Sequence, residues 1–281
     1  VARTGQITGM FHIRAFLAAL VLAPLVALLG VAPVTAEESP ISGQVIQGWT
    51  LPDGRMVAGL DLTLKPGWKT YWRAPGDAGI PPQFDWSRAR NVGSVSITWP
   101  TPHVFHQNGM RSIGYKDHVV IPLHIQPKAP GRPVRLRGEM DLGVCSDICI
   151  PHRLDFDTTL DAAPVKPVPT LAAALAQAPF SRREAGVIAA TCTLRPLDDG
   201  MEVTVRVQVP SSGGTEVAVI EPNIPDVWTS EAQTTRNGNV LSATAQMMHN
   251  TGRPFAVNRS AMRITILGSK HAVDIQGCTA G

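Results

Sequence analysis

The chain has 281 residues, 44% of them hydrophobic and 17% charged, which is enough for two domains that each bury a core. Its 25 basic and 22 acidic side chains give a net charge of +3, and Arg3 and Arg14 fall in the first segment, so the remainder is close to neutral. That balance lacks the basic stripe a polyanion needs, so nucleic acid is not an expected partner.

Arg3 and Arg14 precede an uncharged apolar run from Ala15 to Ala32. Val34-Thr35-Ala36 then supplies the small residues at which a leader is cut. Residues 1–36 therefore read as a secretory signal peptide, with an uncleaved N-terminal membrane anchor as the alternative if Pro24 is tolerated in a span. Val1 in place of Met is consistent with an alternative start, with Met10 as another candidate. Either way the remainder is expected in an exported, oxidising compartment where disulfides persist. No later stretch approaches about 18 consecutive apolar residues, so no second span is expected.

Ile41 to Leu64 reads as two strands around the turn tetrad Leu51-Pro52-Asp53-Gly54. The stretch Gly67 to Pro82 is dense in aromatics, Pro and Gly, and Trp68, Trp72 and Trp86 read as packing groups. Val95 to Trp99 alternates as a strand. The segment from Pro102 to Tyr115, with Gly109 and Gly114, shows little period and reads as a loop. Val119 to Ile125 is the next strand.

Val134, Leu136, Met140, Leu142 and Val144 then alternate with Arg135, Arg137, Glu139, Asp141 and Gly143, and Leu154, Phe156 and Leu160 alternate with Arg153, Asp155 and Asp157. This is the pattern of a hairpin with Cys145 and Cys149 at its neck. Parity puts both cysteines on the side of Arg135 and Arg153, so both sulfurs are predicted to face solvent, and His152 to face inward. In an extended strand residues four apart lie about 13 Å apart, whereas a disulfide needs Cα atoms within about 7 Å, so the chain must turn at Ser146-Asp147. A short loop closed by an exposed sulfur pair suits thiol exchange. The alternatives are a structural staple and a soft-metal site, in which Cys145 and Cys149, with His152 or with His103 and His106, hold Cu(I).

Pro164 to Pro169 reads as a stiff linker, and Thr170 as the cap of a short helix over Leu171 to Gln177. Strands follow at Gly186–Leu194, Met201–Val209, Glu216–Ile220, Val240–Gln246, Met262–Leu267 and Ala272–Gln276. Cys192 and Cys278 bracket this run. A bridge between them would close a loop of about 85 residues and stabilise by about 4 to 5 kcal/mol, so this pair reads as structural. Short strands at regular spacing predict an all-β fold of two antiparallel sandwiches. The expected division is a leader at 1–36, a first sandwich at 37–163, a linker with a short helix at 164–184 and a second sandwich at 185–281.

From about Ile41 to Asp161 the chain resembles the N-terminal periplasmic domain of the DsbD and ScsB thiol-disulfide reductases. The likeness rests on Gly67-Trp68-Lys69-Thr70-Tyr71-Trp72 with Pro75-Gly76-Asp77, on Pro81 to Trp86, on Trp99-Pro100, on Tyr115 to Pro122 and on Cys145 to Pro151. The second half looks like the additional sandwich of the ScsB type. The resemblance implies an immunoglobulin-like sandwich whose pair, Cys145 and Cys149, takes electrons from a membrane-embedded reductase and passes them to periplasmic thioredoxin-like proteins. It implies a monomer with no cofactor and no metal, and Cys149 as the attacking sulfur. Arg153, His152 and Lys116 are candidates to lower a thiol pKa.

The resemblance also implies a cap loop between Phe105 and Tyr115 that shields the cysteines. The family's aromatic at its centre is replaced here by Asn108, Gly109 and Met110, which leaves Phe105 or Met110 as the lid. The family's transmembrane conduit and terminal thioredoxin domain have no counterpart before Gly281, so the donor is expected on a separate chain. Two competing readings are a copper-binding or chaperone-like module without redox turnover, using Met110 or the histidines with the cysteines, and an adhesion or carbohydrate-binding sandwich with an inert bridge.

Overall fold

The computed structural model describes residues 39–281 except 78, 108 and 163–165, so the leader lies outside the described residues. In chain order the first ten strands are β1 (Ile41–Thr50), β2 (Met56–Leu64), β3 (Lys69–Tyr71), β4 (Gln83–Asp85), β5 (Val92–Ile97), β6 (His103–Gln107), β7 (Met110–Lys116), β8 (His118–Pro127), β9 (Val134–Cys145) and β10 (Cys149–Leu160). After helix α1 (Pro169–Ala176) come β11 (Phe180–Ser181), β12 (Ala189–Leu197), β13 (Gly200–Gln208), β14 (Val217–Glu221) and β15 (Val227–Thr229). The last five are β16 (Gln233–Asn237), β17 (Val240–His249), β18 (Arg263–Leu267), β19 (Ala272–Gln276) and β20 (Thr279–Ala280).

The strands form two immunoglobulin-like sandwiches. The first stacks a sheet of order β1-β2-β8-β5 on one of order β10-β9-β3-β7-β6, with β4 also pairing to β9. Alternation places Leu60 and Leu62 of β2, Ile121, Leu123 and Ile125 of β8 and Val134, Leu136, Met140 and Leu142 of β9 between the sheets, each buried. The second pairs β11-β19-β18-β14 with β15-β17-β13-β12-β20, with β16 also on β17. Its pairings are antiparallel except β11 with β19 and β12 with β20.

Two features depart from the sequence reading. The segment 103–115 is not a loop: β6 and β7 pair in register from His103↔Gly114 to Gln107↔Met110, and β7 continues the sheet onto β3 through Tyr71↔Gly114. Gly114 hides the strand from a pattern search yet is required here, because a Cβ at that position would run into the Thr70 carbonyl. The helix begins two residues earlier than expected, at Pro169, with Val168 at its N-cap and no side-chain cap, so Thr170 lies inside it. Leu171 and Ala174 pack on Val57 and Val120, on the outer side of the first sheet. Burying Leu171 there contributes about 2 kcal/mol.

Ser39–Gly281 forms one compact unit. The apolar cluster of the first sandwich continues into Val217, Leu267 and Ala272, which belong to β14, β18 and β19.

Candidate functional site

β9 and β10 pair without a break from Leu160↔Val134 to Cys149↔Cys145, so the two cysteines sit directly opposite at the hairpin end. The chain reverses through Ser146, Asp147 and Ile148, closed by the Ser146 N–H donating to the Ile148 carbonyl at 3.0 Å. The cysteines are disulfide-bonded with Cα atoms 4.1 Å apart.

The two sulfurs are not equally open. Cys149 is exposed, whereas Cys145 is 1% exposed. This corrects the expectation that both face solvent. Parity does set Cys145 on the outward side with Arg135 and Arg137, but that side is covered at the end of the strand by β3 and the chain beyond it. Lys69 and Thr70 of β3 pair with Cys145 and Val144, and the Thr70 hydroxyl donates to the Gly143 carbonyl at 2.9 Å. Gly143 makes the cover possible: a Cβ there would lie 2.9 Å from Ile80 and 3.0 Å from the Tyr71 ring.

Tyr71 is the residue the sequence reading missed. Its hydroxyl lies 2.8 Å from Cys145 Sγ and 3.3 Å from Cys149 Sγ. A disulfide sulfur carries no hydrogen, so the tyrosine is the donor to both. Burial raises its pKa above the ordinary phenol value, which keeps the proton on the oxygen at neutral pH. The only signal in the sequence was its place in Gly67 to Trp72.

The expected cap residues take different positions. Phe105 lies under the Lys69 ammonium, 5.2 Å from its ring centroid, and beside the His103 ring. Lys69 also donates to the Ser112 hydroxyl at 3.2 Å, and desolvation lowers its pKa. Met110 opens β7 and is 55% exposed. Tyr115 is not part of a cap: its ring is buried in the core and its hydroxyl donates to the Pro100 carbonyl at 2.8 Å. Burial pushes its pKa well up.

Two of the three candidate thiol activators, Arg153 and His152, are engaged elsewhere. Arg153 donates to both oxygens of Asp141 at 2.6 and 2.9 Å, and that bond holds the Asp141 carboxyl below the usual range. His152 Nε2 is 3.1 Å from the Ser39 hydroxyl. Lys116 is the register partner of Lys69. Among the described residues no group of three or more His, Cys, Asp or Glu is arranged to hold a metal ion.

Cys192 and Cys278 form the second disulfide, with Cα atoms 5.7 Å apart and a sequence separation of 86. Cys192 is fully buried in the second core, and the Arg259 side chain donates to its carbonyl at 3.2 Å.

An all-β sandwich that presents one sulfur of a disulfide at a hairpin end and covers the other with a tyrosine belongs to the class of thiol-disulfide exchange domains. Residues 41–161 match the family model of the N-terminal domain of the thiol:disulfide interchange protein DsbD. The structure is similar to that of the N-terminal periplasmic domain of ScsB from Proteus mirabilis, with a TM-score of 0.62 and 22% identity, over 85% of this chain and 100% of the other. A comparison with curated proteins finds no match. Among the described residues no helix is long and apolar enough to cross a membrane.

Proposed function

We propose that this chain is a periplasmic electron carrier whose Cys145–Cys149 pair accepts two electrons from a membrane-embedded thiol-disulfide reductase and delivers them to thioredoxin-like proteins. The observation that carries this reading is the unequal exposure of the sulfurs under the Tyr71 hydroxyl.

In the charging direction a donor thiolate reaches Cys149 Sγ, the open sulfur. A donor–Cys149 bond forms as the Cys145–Cys149 bond breaks, and the electron pair leaves with Cys145, where the Tyr71 O–H stabilises the thiolate. The donor's second thiolate then releases Cys149, and protonation leaves a dithiol. In delivery the Cys149 thiolate attacks the acceptor's disulfide, and the acceptor's other sulfur departs and takes a proton. Cys145 then loses its proton and attacks Cys149 Sγ, closing the pair and freeing a reduced acceptor. Each cycle moves two electrons and two protons.

Single-cysteine variants test this assignment. With Cys145→Ala, the protein should trap a mixed disulfide through Cys149 with an oxidised thioredoxin-like protein, resolved by gel shift and peptide mapping. Trapping only through Cys145, in the Cys149→Ala variant, would reverse the assignment.

A further inference from the structure

The segment that covers Cys145 is tied to the second sandwich by charge. Two residues past Tyr71, the Arg73 guanidinium donates to both oxygens of Glu221 on β14, at 3.1 and 2.9 Å, and to the Thr265 hydroxyl on β18 at 3.0 Å. It also stacks on the Trp72 ring at 3.7 Å. Burial lowers the guanidinium pKa and Glu221 opposes that shift. A bidentate pair of this kind fixes direction as well as distance.

A second tie acts on the neighbouring strand. The Arg111 N–H of β7 donates to Glu231 at 3.2 Å, and its side-chain Nε lies 3.3 Å from the same carboxylate. β7 in turn accepts the Trp72 N–H at the Ile113 carbonyl, and the Ile113 N–H donates to the Pro75 carbonyl. Between the two ties lies a cavity of about 700 Å³, lined by Gly76, Gly79 and Pro81 on one side and by Ile224 and Trp228 on the other. Trp72 is buried in the first core and anchors the chain just after Tyr71, and beyond it the two ion pairs are the ties that cross this gap to the second sandwich.

We infer that Glu221 of the second sandwich is a positioning residue for sulfur exchange in the first, acting through Arg73 on the placement of the Tyr71 hydroxyl at the disulfide. This rests on the exchange reading above. It gives the second sandwich a part in the reaction although it supplies no reacting atom.

The test is a double-mutant cycle on the full chain, read as the rate at which dithiothreitol reduces Cys145–Cys149. Glu221→Gln should slow reduction about three- to tenfold, and the same substitution made in a Tyr71→Phe background should change nothing further, as two residues acting through one contact require. Thr265→Val, which leaves the carboxylate in place, should slow reduction in the same way by a smaller factor, and it serves as the readout if the Glu221 variant does not fold. An unchanged rate in the folded variant, or equal slowing with and without the Tyr71 hydroxyl, would overturn the inference and leave the exchange reading standing. A wild-type pair that dithiothreitol does not reduce would overturn both.

Discussion

Tyr71 does its work through a single oxygen. Removing it in Tyr71→Phe leaves the ring against Gly143 and deletes the donor to the two sulfurs, including the departing Cys145 thiolate. A hydrogen bond to a charged group contributes about 1.5 kcal/mol or more, so dithiothreitol reduction should slow about tenfold or more with little change in melting temperature. Because burial raises the Tyr71 pKa above the ordinary phenol value near 10, this donor is still present at that pH and is lost only as pH rises past the raised value. Between pH 7 and 9 the rate should therefore follow only the thiolate fraction of the reagent. A break in the log rate inside that window, measured by stopped-flow, would mean that another group controls the step. At this scale the sequence revealed the two cysteines but not their cover. Parity fixes which way a side chain points, whereas Tyr71 and Ile80 arrive from a Pro- and Gly-rich stretch with no period, and nothing in the hairpin's own pattern announces them.

The hairpin of β9 and β10 was legible because one face is apolar and the other charged, and its register follows from that alternation. The pairing of β6 and β7 was not, since Gly109 and Gly114 interrupt a short pattern. The helix's contact was also hidden, although Val57 and Val120 carried a trace of it as apolar residues on the side of the sheet that alternation assigns to water. Two substitutions test these elements. Gly143→Ala should push Ile80 and the Tyr71 ring outward, costing about 1 to 3 kcal/mol in urea unfolding and slowing reduction without touching a sulfur. Leu171→Ala, far from the cysteines, should cost about 2 to 5 kcal/mol and leave the exchange rate of the folded protein unchanged.

At the scale of the whole molecule, the two disulfides are predicted to divide their roles. Replacing Cys192 and Cys278 with Ala should lower unfolding free energy by about 4 to 5 kcal/mol in the chain-entropy model, while the folded protein still exchanges at Cys145–Cys149. Slower exchange in that variant would assign the second pair a redox part. The all-β class and the likeness of the first half were readable from strand spacing and from Gly67 to Trp72. The ties between the halves were not, because Arg73, Arg111, Glu221 and Glu231 look in the sequence like ordinary surface charges.

The apolar cluster that runs from β2 and β8 into Val217, Leu267 and Ala272 has a thermal consequence. Heat cannot open one sandwich without wetting hydrocarbon that the other also shelters, so the two should melt as a single cooperative event. Scanning calorimetry of Ser39–Gly281 should give one endotherm whose van't Hoff and calorimetric enthalpies agree. Two resolved peaks would mean that the shared hydrocarbon is too little to couple them.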